Sequence, residues 1–298
     1  MEQLLTELQR IHVEWETDCP LSAHSSFRIG GPAALALFPD TREKLMNVLR
    51  ILRAHQMPIT VIGRASNVVF PDAGLRGAVL FTSKYRQIGM EDDGMYVSAG
   101  ALSSTVANAA RDASLTGAEF LYGLPGTVGG AVYMNAGAFG GCMEQICTES
   151  EYYDCDNGEI GTLRGTVHAF ANRESVYQKH PEWVVLGARL QLKSGNRDQI
   201  AATMANFLER RRATQPLELP SAGSVFKRPA GHFAGKLIED CGLKGMMVGG
   251  AQVSQKHAGF IVNRGDATAE DVRRLVEMVR ETVWSRTGVS LECEIRFL

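Results

Sequence analysis

The chain has 298 residues, 45% of them hydrophobic, 21% charged and 7% aromatic, a composition that excludes disordered, collagen-like and coiled-coil chains. Its length is about twice the ~150 residues common for one domain, which predicts two domains or one large elaborated one. Lys and Arg number 31 against 33 Asp and Glu, a formal charge of -2, so no overall basic field draws the chain to nucleic acid or to an anionic membrane.

Leu4, Leu5, Leu8 and Ile11 stand at helical spacing and predict a short first helix. Asp40 with Glu43 has the form of a capping box, followed by an apolar stripe of Leu45, Val48, Leu49 and Leu52 that runs to about His55. Pro58 to Ile62 reads as a buried strand, so residues 33–62 form a strand, helix, strand unit. From 63 to 194 strands dominate: Ala78 to Thr82, Met95 to Ala99 and Val184 to Leu192, with one helix from about Ser103 to Ser114. A polar turn at Ser194-Gly195-Asn196 precedes a helix bearing Ile200, Met204, Phe207 and Leu208, taken as the start of a second domain. The last helix opens at Thr268-Ala269-Glu270-Asp271, carries Val272, Leu275, Val276, Val279 and Val283, and stops at Gly288. A terminal strand from Val289 to Phe297 would set Glu292 and Glu294 on one face.

The six cysteines form no C-x-x-C pair and no Cys/His cluster at metal-ligand spacing, so no metal site is expected. The first residues lack the basic and apolar regions of a signal peptide, and no run approaches ~18 apolar residues. A cytoplasmic protein that does not enter the membrane is predicted.

The glycines gather in Gly123-Leu124-Pro125-Gly126-Thr127-Val128-Gly129-Gly130 and in Asn135 to Gly141. Without Cβ atoms, such loops let backbone approach a flat or anionic ligand closely. A strand also runs directly into Gly63-Arg64-Ala65-Ser66-Asn67, where backbone N–H groups can hold a pyrophosphate or where Ser66 and Asn67 can cap a tight turn. Neither loop is a Rossmann G-x-G-x-x-G or a P-loop. Ser224-Val225-Phe226-Lys227 matches S-x-x-K, but the partner motifs of the penicillin-recognising serine enzymes are absent and the order is wrong. Arg210-Arg211-Arg212 reads as a solvated helix end for at least two of the three.

In order and spacing, these segments resemble the UDP-N-acetylenolpyruvoylglucosamine reductase family over nearly the whole chain. The resembling stretches are Ser25 to Pro32, Gly63 to Asn67 with Asp72, Gly123 to Ala131 running into Met134 to Gly137, Arg173-Glu174-Ser175 and Gln215-Pro216-Leu217. Further on come Ser221 to Lys227, Lys236 to Glu239, Asn263 and Leu291 to Glu294. The resemblance implies an α+β protein. After a lead-in of residues 1–28, a two-part FAD-binding domain of the vanillyl-alcohol-oxidase (PCMH) type would span 29–194, and an α+β substrate-binding domain would span 195–298. It implies non-covalent FAD, NADPH as co-substrate, and UDP-N-acetylglucosamine enolpyruvate reduced to UDP-N-acetylmuramate for peptidoglycan synthesis. Other FAD oxidoreductases on the same scaffold, or a nucleotide-sugar-binding homologue without turnover, are the alternatives.

By the same resemblance Ser224 donates a proton, while Arg173 and Glu294 assist at the developing carboxylate charge. FAD is expected at Gly63, Arg64, Ala65, Ser66, Asn67, Gly123, Pro125, Gly126, Gly129, Gly130, Ala131, Asn135 and Gly137, and substrate at Lys227, Arg228, Tyr177 and His257. Three positions depart from the family pattern. Asn172 stands where a tyrosine usually precedes the arginine, Arg228 stands for an asparagine, and Ala65 stands for a common glycine.

Overall fold

The computed structural model describes residues 1–91 and 94–298. It consists of two compact units, one formed by residues 1–17, 34–64 and 76–209, the other by 18–33, 65–75 and 210–298.

In the first unit, α1 (Glu2–Arg10) and α2 (Arg42–Ala54) accompany a four-stranded sheet ordered Glu14–Pro20, Pro32–Phe38, Leu75–Phe81, Ile59–Ile62. Leu4 and Leu8 of α1 and Leu45, Leu49 and Leu52 of α2 share a core with Leu35, Leu37 and Leu80, as their spacing requires. The cap of α2 lies one residue later than expected: Thr41 takes extended φ and ψ, and its side chain accepts from Lys44 N at 3.2 Å. Asp40 is engaged instead by Lys44 Nζ at 2.9 Å, and that hydrogen-bonded ion pair lowers its carboxyl pKa. Ile59–Ile62 is parallel to Leu75–Phe81 but ends the sheet order, so Ile62 is buried while Val61 is 38% exposed. The strand is where the sequence puts it, without the full burial expected.

The same unit carries an antiparallel sheet ordered Ile160–Arg164, Cys147–Asp154, Trp183–Gln191, Gly94–Ser98, Ile88–Glu91. Against it lie α3 (Ser103–Asp112) and the short α4 (Val128–Tyr133), whose Val106, Ala110, Val128 and Val132 enter a core with Met95, Val97 and Leu190. The next helix, α5 (Arg197–Thr214), sends Ile200 and Met204 into this core, so most of the helix read as opening a second domain completes the first unit. At its end Arg210 and Arg212 are exposed, as expected for two of the three arginines, whereas Arg211 is buried and its guanidinium pKa falls by desolvation.

The second unit has α6 (Ala234–Asp240), α7 (Ala269–Thr287) and a four-stranded sheet ordered Ser221–Ser224, Phe260–Asn263, Ala251–Val253, Met247–Val248. The stripe of Val272, Leu275, Val276, Val279 and Val283 packs into its core with Phe27, Val69 and Leu291. Thr268 and Asp271 form a capping box on α7, and Gly288 ends it at φ 68°. Asp72 reinforces the same helix start, accepting from Ala269 N at 2.8 Å and Glu270 N at 3.2 Å. Replacing Asp72 with alanine strands both donors and should lower stability by about 1–2 kcal/mol, read as a fall in thermal midpoint; an unchanged midpoint would remove this cap from the ledger.

The predicted strand Val289 to Phe297 is mostly irregular. Only Arg296–Phe297 is a strand, parallel to Val68–Val69. Leu291 and Ile295 are nevertheless buried, and Cys293 and Phe297 pack against the same core, so the alternation that sets Glu292 and Glu294 on the opposite face holds without a long regular strand. Among the described residues, no helix is long and apolar enough to cross a membrane.

Candidate active site

The glycine loops of the first unit converge on Thr127. A Cβ on Gly63 would collide with Thr127 Oγ1, and that hydroxyl is buried with no hydrogen-bond partner among the described residues. Thr127 stands at the N-cap of α4 yet its side chain makes no capping bond. An unsatisfied buried hydroxyl against bare backbone is uphill unless a ligand acceptor completes it. A phosphate oxygen meets that need, so the two loops fit the expected flavin dinucleotide. Glycine spacing alone gives Thr127 no role; a hydroxyl inside a glycine cluster is the sequence signal that marks it. Thr127→Val should leave the apoprotein at least as stable and weaken FAD binding roughly fivefold to tenfold, measured by thermal melting and flavin titration; unaltered affinity would sever Thr127 from the cofactor.

Other residues of these loops have different duties. Gly129 is a packing glycine, since a Cβ there would lie 2.8 Å from Ala99 Cβ, and its N–H already donates to Ala99 O. Ala131 points into the core. Gly123 takes φ 79° and its N–H donates to Ser104 Oγ at 3.0 Å, while Gly126 O accepts from Ser103 N. Arg64, Pro125 and Gly130 are exposed. Asn135, buried and at φ 40°, spends both ends of its amide on protein: Nδ2 donates to Ala171 O at 2.9 Å and Oδ1 accepts from Glu144 N at 2.9 Å.

Asn135 thereby supports the turn that carries Arg173. Ala171 and Glu174 pair across Asn172 and Arg173, which puts Arg173 at φ 63°, a left-handed conformation costing a non-glycine residue about 1 kcal/mol. Its Nη2 donates to Gly137 O at 3.1 Å, joining the catalytic candidate to the second glycine cluster. Gln178 Nε2 donates to Arg173 O at 2.8 Å and Ser175 Oγ to Tyr133 O at 2.7 Å. Tyr177, expected at the substrate, is instead fully buried with its hydroxyl 2.7 Å from Ser150 Oγ, so it cannot replace the aromatic contact absent at Asn172.

In the second unit two distant motifs zip together. Lys227 N donates to Glu292 O at 2.8 Å, Phe226 bridges Cys293, and Glu294 N donates to Val225 O at 2.7 Å. This antiparallel pairing sets Glu294 beside the peptide that follows Ser224. Gly223 at φ 82° lies within a register shift between Ser221 and Ser224, so Ser224 leaves the regular ladder just where it is needed. Among the described residues, none takes up the Ser224 hydroxyl.

Lys227, its side chain only 12% exposed, is paired at 2.5 Å with the 69% exposed Glu292. Arg228 lies over the Phe233 ring at 4.0 Å and donates to His232 O. His257 closes a turn, its Nδ1 accepting from Gly259 N at 3.0 Å, and burial lowers its pKa.

The remaining loop residues are stitched into this unit. Ala65 adopts φ 49°, the conformation for which glycine is common here, and its buried methyl is accommodated at the cost of that strain. Ser26 Oγ bonds both Ala65 O at 3.0 Å and Ser221 O at 2.9 Å, tying the loop to the strand that ends at Ser224. Asn67 Nδ2 donates to Glu294 O at 3.2 Å, and Ser66 is half-buried beside Gly223. Asn263 Nδ2 holds Phe27 O at 3.1 Å. The roles of Ser26, Asp72 and Asn263 are invisible to spacing because each joins segments far apart in the chain.

Residues 215–298 match the model of the UDP-N-acetylenolpyruvoylglucosamine reductase C-terminal domain, and residues 33–164 match that of an FAD binding domain. The chain is 43% identical over 279 residues to the UDP-N-acetylenolpyruvoylglucosamine reductase of Caldanaerobacter subterraneus subsp. tengcongensis, covering 94% of this chain and 92% of that one. To the Latilactobacillus sakei protein of the same name it is 44% identical over 290 residues, 97% and 94% of the two chains. The crystal structure of the Thermus caldophilus UDP-N-acetylenolpyruvylglucosamine reductase superposes with a TM-score of 0.79 at 34% identity, over 96% of this chain and 98% of that one. Alkyldihydroxyacetonephosphate synthase shares the fold alone, at 12% identity and a TM-score of 0.50 over 65% of this chain and 41% of its own.

Proposed function

The chain belongs to the UDP-N-acetylenolpyruvoylglucosamine reductase family, and we propose that Ser224, Glu294 and Arg173 carry its reaction. It is an FAD-dependent oxidoreductase that uses NADPH to reduce the enolpyruvyl group of UDP-N-acetylglucosamine enolpyruvate, giving UDP-N-acetylmuramate for peptidoglycan. The observation that carries the residue assignment is the pairing of residues 225–227 with 292–294, which places a carboxylate residue beside an uncommitted serine.

FAD, held by the glycine loops and reduced by NADPH, would supply hydride chemistry to the enolpyruvyl double bond. The charge left on the neighbouring carbon and its carboxylate then needs one proton and a cation. Ser224 delivers the proton; a serine hydroxyl is weakly acidic, but the acceptor is a strongly basic carbanion, so position outweighs acidity. The Arg173 fork bonds both carboxylate oxygens and stabilises the charge, with Glu294 assisting. Lys227 and Arg228 are the cations proposed for the UDP diphosphate.

Gly63, Thr127 and Ala65 are proposed to line the pyrophosphate, with the FAD-binding domain taking in most of α5, to about residue 209, and the substrate-binding domain following from about 210. Six scattered cysteines with no C-x-x-C pair are the observation behind the proposed reducing, cytoplasmic setting. The deciding experiment is an anaerobic absorbance trace of the purified protein, with NADPH added first and the enolpyruvyl substrate second. Bleaching and then recovery of the flavin spectrum is the expected course. Bleaching without recovery would overturn the substrate, and a protein unable to take up FAD would overturn the reading of the glycine loops.

A further inference from the structure

The loop that carries Arg173 runs between His168 and Tyr177, and both residues turn inward to one hydroxyl. Ser150 Oγ lies 2.8 Å from His168 Nε2 and 2.7 Å from the Tyr177 hydroxyl, and all three residues are fully buried. His168 Nδ1 lies 2.8 Å from Gly165 O, which can only accept. Nδ1 is therefore the protonated nitrogen, Ser150 donates to Nε2, and Tyr177 donates to Ser150. Burial keeps the network neutral, lowering the pKa of His168 and raising that of Tyr177. Nothing in the chemistry above uses these groups, yet three polar side chains stand in an apolar core and satisfy one another.

What they enclose gives them a purpose. Between the clamped ends, Arg173 holds a φ of 63° that arginine abandons unless its surroundings impose it. We propose that Ser150 is a positioning residue for Arg173: its hydroxyl ties both ends of the 168–177 loop to the strand Cys147–Asp154, and so aims the guanidinium. This rests on the reading of Arg173 given above.

The test uses the full-length, FAD-loaded enzyme and a double-mutant cycle. Ser150→Ala should slow recovery of the flavin spectrum by substrate about tenfold while bleaching by NADPH stays within about twofold, and amide hydrogen exchange over residues 169–176 should rise. Tyr177→Phe, which removes one oxygen and keeps the ring, should act in the same direction and carries the test if Ser150→Ala does not fold. In an Arg173→Ala background, Ser150→Ala should slow recovery no further, because a residue that acts through Arg173 has nothing left to aim. Equal slowing of both half-reactions, or the full Ser150 effect persisting without the arginine, overturns the proposal in favour of general packing. Normal recovery in Arg173→Ala alone overturns the reading of Arg173 and the proposal with it, whereas unchanged exchange over 169–176 in Ser150→Ala overturns the clamp alone.

Discussion

With alanine at position 224, NADPH should bleach the flavin at the normal rate, whereas recovery on adding the enolpyruvyl substrate should slow by roughly 100- to 10,000-fold, the usual worth of a positioned proton donor. The asymmetry follows from where Ser224 stands. Its hydroxyl is uncommitted among the described residues, and its backbone leaves the sheet at the Gly223 bulge, so the substitution removes one oxygen without disturbing the packing of Ala222, Val225 or Phe226. A thermal midpoint close to that of the parent should accompany the loss. Stopped-flow absorbance separates the two half-reactions, and equal slowing of both would mean that Ser224 shapes the site without donating a proton.

Arg173→Ala should also act on the second half-reaction, by roughly 100- to 1,000-fold, the range found when one preorganised partner of a developing anion is removed. Lysine at this position should restore only part of the rate, because an ammonium cannot bond both carboxylate oxygens. The unusual backbone supplies a control. At φ 63° glycine suits the turn better than alanine, so Arg173→Gly should be more stable than Arg173→Ala by about 1 kcal/mol although neither turns over normally. Turnover that followed the melting temperatures of the two variants would assign Arg173 to structure; loss of recovery in both, whatever their stability, assigns it to chemistry.

Much of the local structure was legible because local forces set it. The stripes of α2 and α7, the Thr268 and Asp271 capping box and the glycine stop at 288 follow from periodicity and backbone hydrogen bonding within a few residues. Errors arose where neighbours in space overruled neighbours in sequence. Asp40 lost the cap of α2 to Thr41 because Lys44 engages its carboxylate. Val289 to Ile295 alternates like a strand and buries Leu291 and Ile295 as that pattern requires, yet it pairs with residues 225–227 only at a single bridge, so little of it is regular strand. Tyr177 carries a chemistry-capable group, and only its burial and its partner show that Ser150 has already claimed it.

The sequence by itself determined the family, the need for a flavin held without a Rossmann loop, and the identities of Ser224, Arg173 and Glu294 as candidates, since ordered motifs of the right residue types survive in the linear chain. The tertiary structure alone decided which of those residues meet. Glu294 reaches the Ser224 segment across about 70 residues of chain, Asp72 caps a helix nearly 200 residues away, and Thr127 is left with an unsatisfied hydroxyl against Gly63. Such long-range pairings arise from packing the core and satisfying buried polar groups, which have no fixed period along the sequence.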